Sequence, residues 1–299
     1  MPPAVPARWL WRINALVGWL LLISVSAVQG AFEVTGSGAR TAALGGAFGA
    51  GVDAAEGLWI NPAANARSPR WRVGTTHVLL YPGLEDSPSL NALTLVAPVA
   101  GGGLQVGLSA LGSEDWEEQL GLIGYGRAIH PRLALGGDVR SGGWQTEGLS
   151  HRAWSADLGG IYEVGWIHSR HYLRLGWVMR DLLRSSLAAG GQVEAKPPRA
   201  YILAASLNSK TQQVLVDVER RAGQTQLRAG YESTVSSTGG MHFRLGGSAF
   251  TSAWDGGDLS VGLGHGWKGW YLDFSYTYPL GPSRALGGIH RLSLGYRKS

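Results

Sequence analysis

The chain has 299 residues, a formal net charge of +5 and only 16% charged residues, against about 25% in typical soluble domains. It contains 46 glycines and 13 tryptophans but no cysteine, which excludes a disulfide framework. Basic residues are scattered, with Arg220 and Arg221 as the nearest approach to a cluster, so no nucleic-acid partner is predicted.

Residues 1–30 have the pattern of a secretory signal peptide. Arg8 and Arg12 precede the apolar stretch "INALVGWLLLISVSAV", and small residues follow it, so cleavage is expected near Gly30 or Ala31. The alternative is a single anchor helix, but the stretch is shorter than the roughly 20 residues that span a bilayer. No later apolar run is long enough for a transmembrane helix, so a membrane-embedded mature chain would have to be a closed β-barrel.

Residues 31–69 are rich in glycine and alanine and show neither a helical nor a strand period. The glycines allow backbone to approach backbone closely. Asp53 and Glu56 have the spacing of a capping box, and Pro62 predicts a break because it moves Asn61 away from the α region. A compact segment of this kind suits the interior of a barrel with little room for side chains. The alternative is a simple lead-in to the first strand.

From about residue 70, segments of roughly ten residues alternate between apolar and polar side chains, the period of a strand with one apolar face. In "WYLDFSYTY", Trp270 and Phe274 belong to one face and Asp273 and Ser275 to the other. The pattern predicts about 14 strands, near 70–81, 89–99, 103–111, 117–128, 131–141, 151–162, 170–178, 199–208, 211–220, 224–232, 241–251, 257–265, 268–278 and 287–297.

The connections alternate between tight turns, such as "AGG" and "GWKG", and longer loops, such as "PGLEDSP", "GGWQTEGLS" and "MRDLLRSSLAAGGQVEAKPP". Short turns on one side, longer loops on the other and an even strand count are typical of bacterial outer-membrane barrels. Two connections break this alternation: "RAGQ" is short where a long loop is expected, and "STVSSTGG" is the reverse.

The distribution of aromatic and charged residues favours a membrane barrel over a soluble barrel or propeller. Tryptophans near proposed strand ends would form interfacial girdles; they are Trp71, Trp116, Trp144, Trp154, Trp166, Trp177, Trp254, Trp267 and Trp270. The polar faces would then line the lumen with Asp138, Arg140, Asp157, Arg174, Asp217, Glu219, Arg244, Asp273 and Arg291. These residues could form a mutually paired network that stabilises the lumen, or they could line a conduit. Their mixed signs argue against a strongly ion-selective pore.

The segment "GARTAALGGAFGAGVDAAEGLWINPAANA" resembles the N-terminal signature of PorV/PorQ-like outer-membrane proteins, which are relatives of the 14-stranded FadL-type fatty-acid transport barrels. "PPRAYILAASL" and the C-terminal "LDFSYTYPLGPSRALGGIHRLSLGY" are also similar to that family. The resemblance implies an N-terminal plug over residues 31–69 inside a barrel over residues 70–299. The plug motif would consist of Gly38, Arg40, Gly45, Gly46, Phe48, Asp53, Asn61 and Pro62.

Candidate catalytic and metal motifs are weak. "LGGAFGAG" lacks the preceding strand and following lysine of a phosphate loop. His151, Ser155 and Asp157 are the residue types of a hydrolase, but on one strand Ser155 lies too far from His151 for contact. His168 and His171 have no acidic or cysteine companions, so neither a metal site nor a cofactor is predicted.

We therefore expect a non-enzymatic, 14-stranded transmembrane β-barrel in the outer membrane of a Gram-negative bacterium. Two functions remain open, both drawn mainly from the resemblance. One is a FadL-like conduit that handles a hydrophobic small molecule. The other is a PorV-like adapter that does not transport and binds a surface or secreted protein through its loops, especially residues 180–197.

Overall fold

The computed structural model of the chain describes residues 37–52, 54–67, 70–113, 116–146, 149–168, 170–184, 196–235, 240–251, 256–280 and 282–298. The predicted signal peptide, Asp53, Trp254 and most of the 180–197 loop lie outside these residues. Fourteen strands form one closed antiparallel barrel. They are β1 Arg72–Leu80, β2 Ser89–Val99, β3 Gly102–Gly112, β4 Trp116–His130, β5 Leu133–Thr146, β6 Leu149–His168, β7 His171–Arg184, β8 Ala200–Asn208, β9 Gln212–Arg221, β10 Gln224–Val235, β11 Met241–Phe250, β12 Gly257–Trp267, β13 Trp270–Pro279 and β14 Ile289–Arg297.

The barrel closes through β1 and β14, which pair from Arg72 with Arg297 to Leu80 with Ile289. Every other pairing joins strands that are consecutive in the sequence. Closure leaves no strand edge with unpaired backbone groups, as a lipid environment requires. We call the end where β1 begins and β14 finishes the turn end, and the opposite end the loop end.

Three hairpins turn over two residues that both have positive φ, the signature of a type I′ turn. Ala100-Gly101 joins β2 to β3, and Lys268-Gly269 joins β12 to β13, both at the turn end. Ala222-Gly223 joins β9 to β10 at the loop end, so "RAGQ" is a short connection on the long-loop side. The right-handed twist of the flanking strands favours this turn type, and glycine at the second position accommodates it.

The two faces of the wall differ in chemistry. Each strand places at least one large apolar side chain on the outside with more than a third of its surface exposed, for example Val216 on β9, Leu263 on β12 and Phe274 on β13. The alternate residues, such as Asp217 and Asp273, face inward and are buried. An apolar exterior around a polar interior is the arrangement of a transmembrane barrel.

The middle strands are longer than predicted. The sequence predicts a loop at "GGWQTEGLS", but β5 continues to Thr146 and β6 begins at Leu149. β7 likewise continues to Arg184, into the predicted 180–197 loop. Polar and glycine residues in these stretches weaken the apolar alternation, yet cross-strand pairing extends the hairpins. Opposite Asp157 of β6, β7 has a bulge of three residues, 180–182.

Three short helices are described in addition to the strands of the wall. They are α1 (Ala39–Ala43), and the 3₁₀ helices η1 (Ala55–Trp59) and η2 (Pro282–Leu286). In the part of the chain that the structure describes, no helix is both long and apolar enough to cross a bilayer.

The girdle prediction needs one correction. Trp71, Trp166, Trp267 and Trp270 lie near the turn end with about half or more of their surface exposed. Trp116, by contrast, faces inward and packs against an apolar cluster inside the barrel. It is the first residue of β4 and has the same parity as the buried Leu122, so the strand direction turns it into the lumen.

Candidate functional site: the barrel lumen

Residues 37–52 and 54–67, which we call the luminal segment, lie inside the barrel. α1 contacts strands β11 to β14, and η1 contacts β1, β2 and β3. Its largest side chains, Phe48 and Trp59, are fully buried. The segment therefore contacts the inner wall on several sides. The plug boundaries 31–69 remain a prediction, because residues 31–36, 68 and 69 lie outside the described residues.

Inward-facing glycines make room for the backbone of the luminal segment. A Cβ atom at Gly126 of β4 would lie 2.7 Å from the carbonyl oxygen of Pro62, and one at Gly230 of β10 would lie 2.6 Å from that of Leu44. Similar positions on the wall are Gly103, Gly136, Gly176 and Gly246, whereas Gly159 and Gly262 lie against the Asn61 and Ala43 side chains. The high glycine content thus lets the wall meet the segment at backbone distance.

The predicted motif residues at the start of the segment shape its first turn. Gly38 is the N-cap of α1. Gly45 and Gly46 follow that helix with φ of 65° and 77°, in the left-handed region that glycine adopts without strain. Phe48 N–H and Gly49 N–H then donate to one carboxylate oxygen of the buried Asp217, over 3.0 and 2.8 Å.

Asn61 and Pro62 connect the segment to itself and to the wall. The Asn61 side-chain amide donates to the Gly49 carbonyl over 2.6 Å, and its oxygen accepts from Ala63 N–H over 2.9 Å. The Pro62 carbonyl accepts a hydrogen bond of 2.6 Å from Gln105 of β3. Replacing Asn61 would therefore leave buried backbone groups without partners.

Arg40 begins a chain of alternating charges. It donates to Glu232 over 2.8 Å, Arg244 donates to the same Glu232 oxygen over 2.6 Å, and Arg244 also donates to Asp273 over 2.6 Å. Each charge has an opposite neighbour, which offsets the cost of removing it from water. Glu232 was missed by the sequence analysis, although it shares strand parity with Arg228 and Gly230.

A second network lies where β5, β6 and β7 meet. Arg140 pairs with Asp138 at 3.1 Å and with Asp157 at 2.8 Å. Asp157 also accepts from the backbone N–H of Asp181 in the β7 bulge, over 2.9 Å. The buried carboxylate therefore holds the irregular part of β7 in place.

The other predicted lumen residues fall into two groups. Glu219 pairs with Arg228 at 2.7 Å, and Arg174 lies 3.5 Å from Glu163. Arg291 instead donates to the Thr277 hydroxyl over 3.2 Å and, among the described residues, has no carboxylate within 4 Å.

The capping-box prediction is corrected at Glu56. Ala54 is the N-cap of η1 and makes no side-chain cap bond, while the Glu56 carboxylate accepts from Thr41 N–H in α1 over 3.1 Å. Burial, together with the nearby carboxylate of Asp273, raises the pKa of Glu56 to about 7. Glu56 thus joins η1 to α1, and its charge depends on pH near neutrality.

An apolar cluster inside the loop end was not predicted from the sequence. Leu58 and Trp59 of η1 pack against inward-facing side chains of β1 to β4, namely Val78, Leu80, Leu90, Ala92, Leu111 and Leu122. Both faces of β1 and β2 are partly apolar here, so alternation alone could not assign these residues to the interior. This part of the lumen is a hydrophobic surface covered by η1.

No protein-family model matches the chain, and no curated sequence is significantly similar to it. Solved structures of transport barrels do match its fold. The CymD monoaromatic hydrocarbon channel aligns with a TM-score of 0.63 at 14% identity, over 90% of this chain and 99% of that one. The toluene transporters TbuX of Ralstonia pickettii and TodX of Pseudomonas putida each align with a TM-score of 0.58 at 11% identity, over 89% and 99% of the two chains.

The chain has the fold of these channels. At such low identity the likeness establishes the architecture and not the ligand. It agrees with the FadL-type part of the sequence resemblance, whereas the PorV/PorQ assignment finds no support in the comparisons.

The geometry does not support the hydrolase or the metal-site hypothesis. Asp157 is engaged by Arg140 and by the bulge backbone rather than by a histidine that the structure describes. Among the described residues, no group of three or more histidine and acidic side chains could hold a metal ion.

Proposed function

We propose that this protein is an outer-membrane channel for hydrophobic small molecules, and that the luminal segment closes it in the conformation described above. The apolar cluster is the observation that carries the proposal. A water-filled pore does not require a hydrophobic inner surface, whereas the transfer of an apolar solute from water onto such a surface is favourable.

Three further features support this function. The exterior is apolar around a closed antiparallel sheet, the form of transmembrane barrel that bacteria place in the outer membrane. The similar structures are channels or transporters for hydrocarbons by name. The luminal segment covers the apolar cluster with Leu58 and Trp59, so displacing η1 would uncover it.

The adapter hypothesis has weaker grounds. It depends on the loop at 180–197, most of which lies outside the described residues, and no comparison points to a protein partner. The signal peptide that would direct the chain to the outer membrane likewise remains a prediction.

The direct test measures uptake of radiolabelled toluene by Gram-negative cells that express the protein, against cells with an empty vector. We expect faster uptake with the protein. Equal rates for both would refute the channel and favour a role without transport.

A tether tests the part played by the luminal segment. Asn65 in the segment donates to Gln105 on β3 over 3.1 Å, and the chain contains no cysteine. In the double variant Asn65→Cys, Gln105→Cys, a short reducible bis-thiol cross-linker would hold the segment to the wall. We expect cross-linking to abolish uptake and reductant to restore it. The two single-cysteine variants are the controls.

A further inference from the structure

A polar cavity of about 220 Å³ lies beside the luminal segment at the loop end of the lumen. Its wall contains three arginines from three strands: Arg180 of β7, Arg228 of β10 and Arg291 of β14. Asp258 is its only acidic lining residue among those described. Hydroxyl groups of Ser260 and Thr277 complete much of the polar surface.

The arginines of this cavity differ from those of the charged networks. Arg228 pairs with Glu219 at 2.7 Å, but neither Arg180 nor Arg291 has a carboxylate within 4 Å in the part of the chain that the structure describes. The sole acidic lining residue, Asp258, accepts from Ser248 over 2.9 Å. The described lining residues therefore carry a formal charge of +2, and the adjacent Glu219–Arg221 pair adds no net charge.

The two unpaired guanidinium groups also keep unused hydrogen-bond donors. Arg180 donates through one terminal nitrogen to the carbonyl oxygens of Trp59 and Ile60, each over 3.1 Å, and Arg291 donates to Thr277. The Nε atoms of both arginines are buried and have no hydrogen-bond partner. A buried cation with an unsatisfied donor is costly unless an anion compensates it.

We propose that this cavity binds an oxyanion of the carboxylate type. A carboxylate is planar and accepts paired hydrogen bonds from guanidinium groups, which is the geometry arginine matches best. An anion bound here would supply the negative charge that the described lining lacks and would satisfy donors that no described protein atom reaches.

The neighbourhood of the cavity indicates where the rest of a ligand would lie. Ile60 lines the cavity, while Leu58 and Trp59, immediately before it, belong to the apolar cluster. On β14, Arg291 faces the cavity, and Ile289, two residues earlier, packs against the cluster. The carboxylate could therefore be a free small anion or the head group of an amphipathic ligand whose apolar part reaches the cluster. The second case rests on the proposed channel function.

The experiment is isothermal titration of the full-length barrel in neutral detergent with benzoate, acetate, phosphate and benzyl alcohol. We expect the carboxylates to bind at millimolar or lower concentration and benzyl alcohol to bind far more weakly. Similar constants for acetate and benzoate would identify a free small anion, and much tighter benzoate binding would identify a head group. Absence of carboxylate binding, or binding of phosphate alone, would overturn the proposal.

Two variants of the cavity should change benzoate binding in opposite directions. Arg291→Gln should weaken benzoate binding about tenfold or more, because it removes a charge-assisted donor. Asp258→Asn should tighten binding, because it removes the opposing charge while retaining a partner for Ser248. Arg132→Gln changes an exposed arginine at the β4–β5 turn and should leave binding unchanged. Unchanged benzoate binding by Arg291→Gln would refute the proposed site.

Toluene uptake separates this proposal from the channel function. Toluene carries no charge, so its uptake does not require the anion site. Normal uptake without carboxylate binding would refute the anion site alone, whereas carboxylate binding without uptake would refute the channel alone.

Discussion

Two regions of the lumen hold the same segment by different forces. On the β1–β4 side, Leu58 and Trp59 make apolar contacts with the wall. Toward β9, β10 and β11, Arg40 and the backbone of Phe48 bind buried carboxylates. Apolar contacts are non-directional, so a hydrophobic ligand could replace those of the Leu58 and Trp59 side chains. Displacing η1 would also break the hydrogen bonds that Arg180 donates to the Trp59 and Ile60 carbonyls. The charged contacts have no such substitute, and we therefore expect the segment to release at the apolar cluster and to remain attached at the charge network.

The largest effect is expected from breaking the charge network. Arg244→Met leaves Glu232 with one cation instead of two and Asp273 without its ion-pair partner. Removing one member of a buried ionic group typically costs about 3–5 kcal/mol. Urea unfolding of the barrel in vesicles, followed by tryptophan fluorescence, measures the loss. Arg284→Met, in the exposed η2, is the matched control and should change little. If Arg244→Met left the free energy of unfolding unchanged, the network would not anchor the segment.

The apolar region should respond to the loss of volume instead of charge. Leu90 of β2 is fully buried in the cluster, and Leu93 of the same strand faces outward with 48% of its surface exposed. Leu90→Ala should cost about 2–5 kcal/mol by creating a cavity, whereas Leu93→Ala leaves no cavity and should cost less. The same unfolding assay compares the two. Equal costs would mean that η1 does not pack tightly against this wall.

The sequence predicts the wall better than the contents of the lumen. Segments of about ten residues between turn residues located all fourteen strands, and many of them alternate with period two because each strand has a lipid-facing side and an inward side. It could not reveal the apolar cluster, since Val78 and Leu90 are inward apolar residues on strands whose outer faces are also partly apolar. It also missed Arg180, whose place in the cavity depends on a bulge and on strands distant in sequence. Such properties arise only when the barrel closes.

The glycine contacts can be tested within a single strand. Gly126 of β4 faces the luminal segment, while a Cβ at Gly121 would have no atom nearer than 3.7 Å. Gly126→Val should push the segment away from the wall, at the cost of about 1–3 kcal/mol that overpacking usually carries. Trypsin cleavage after Arg40 or Arg67 should then be about tenfold faster than in Gly121→Val, for a difference near 1.4 kcal/mol. Equal cleavage would show that the fit between segment and wall is not tight.

The last effect is a pH dependence at the carboxylate that links η1 to α1. The pKa of Glu56 rises from its ordinary 4.5 to about 7 in the folded protein, because burial and Asp273 outweigh Arg40, Arg244 and the Thr41 N–H. A carboxyl group with a raised pKa stabilises the folded state fully below about pH 4.5, and that contribution is lost as pH rises through 7. The segment should therefore be held more firmly at pH 5 than at pH 8.

Glu56→Gln separates this effect from other titrating groups. Glutamine can still accept the Thr41 hydrogen bond but does not ionise, so the variant should lack this part of the pH dependence. Between about pH 4.5 and 7, the free energy of unfolding of the wild-type protein should fall relative to the variant by at most about 1.4 kcal/mol per pH unit. Parallel curves of unfolding free energy against pH for the two proteins would show that the Glu56 charge does not contribute to the stability of the segment. A difference confined to this window would show that the junction between the apolar and charged contacts responds to pH.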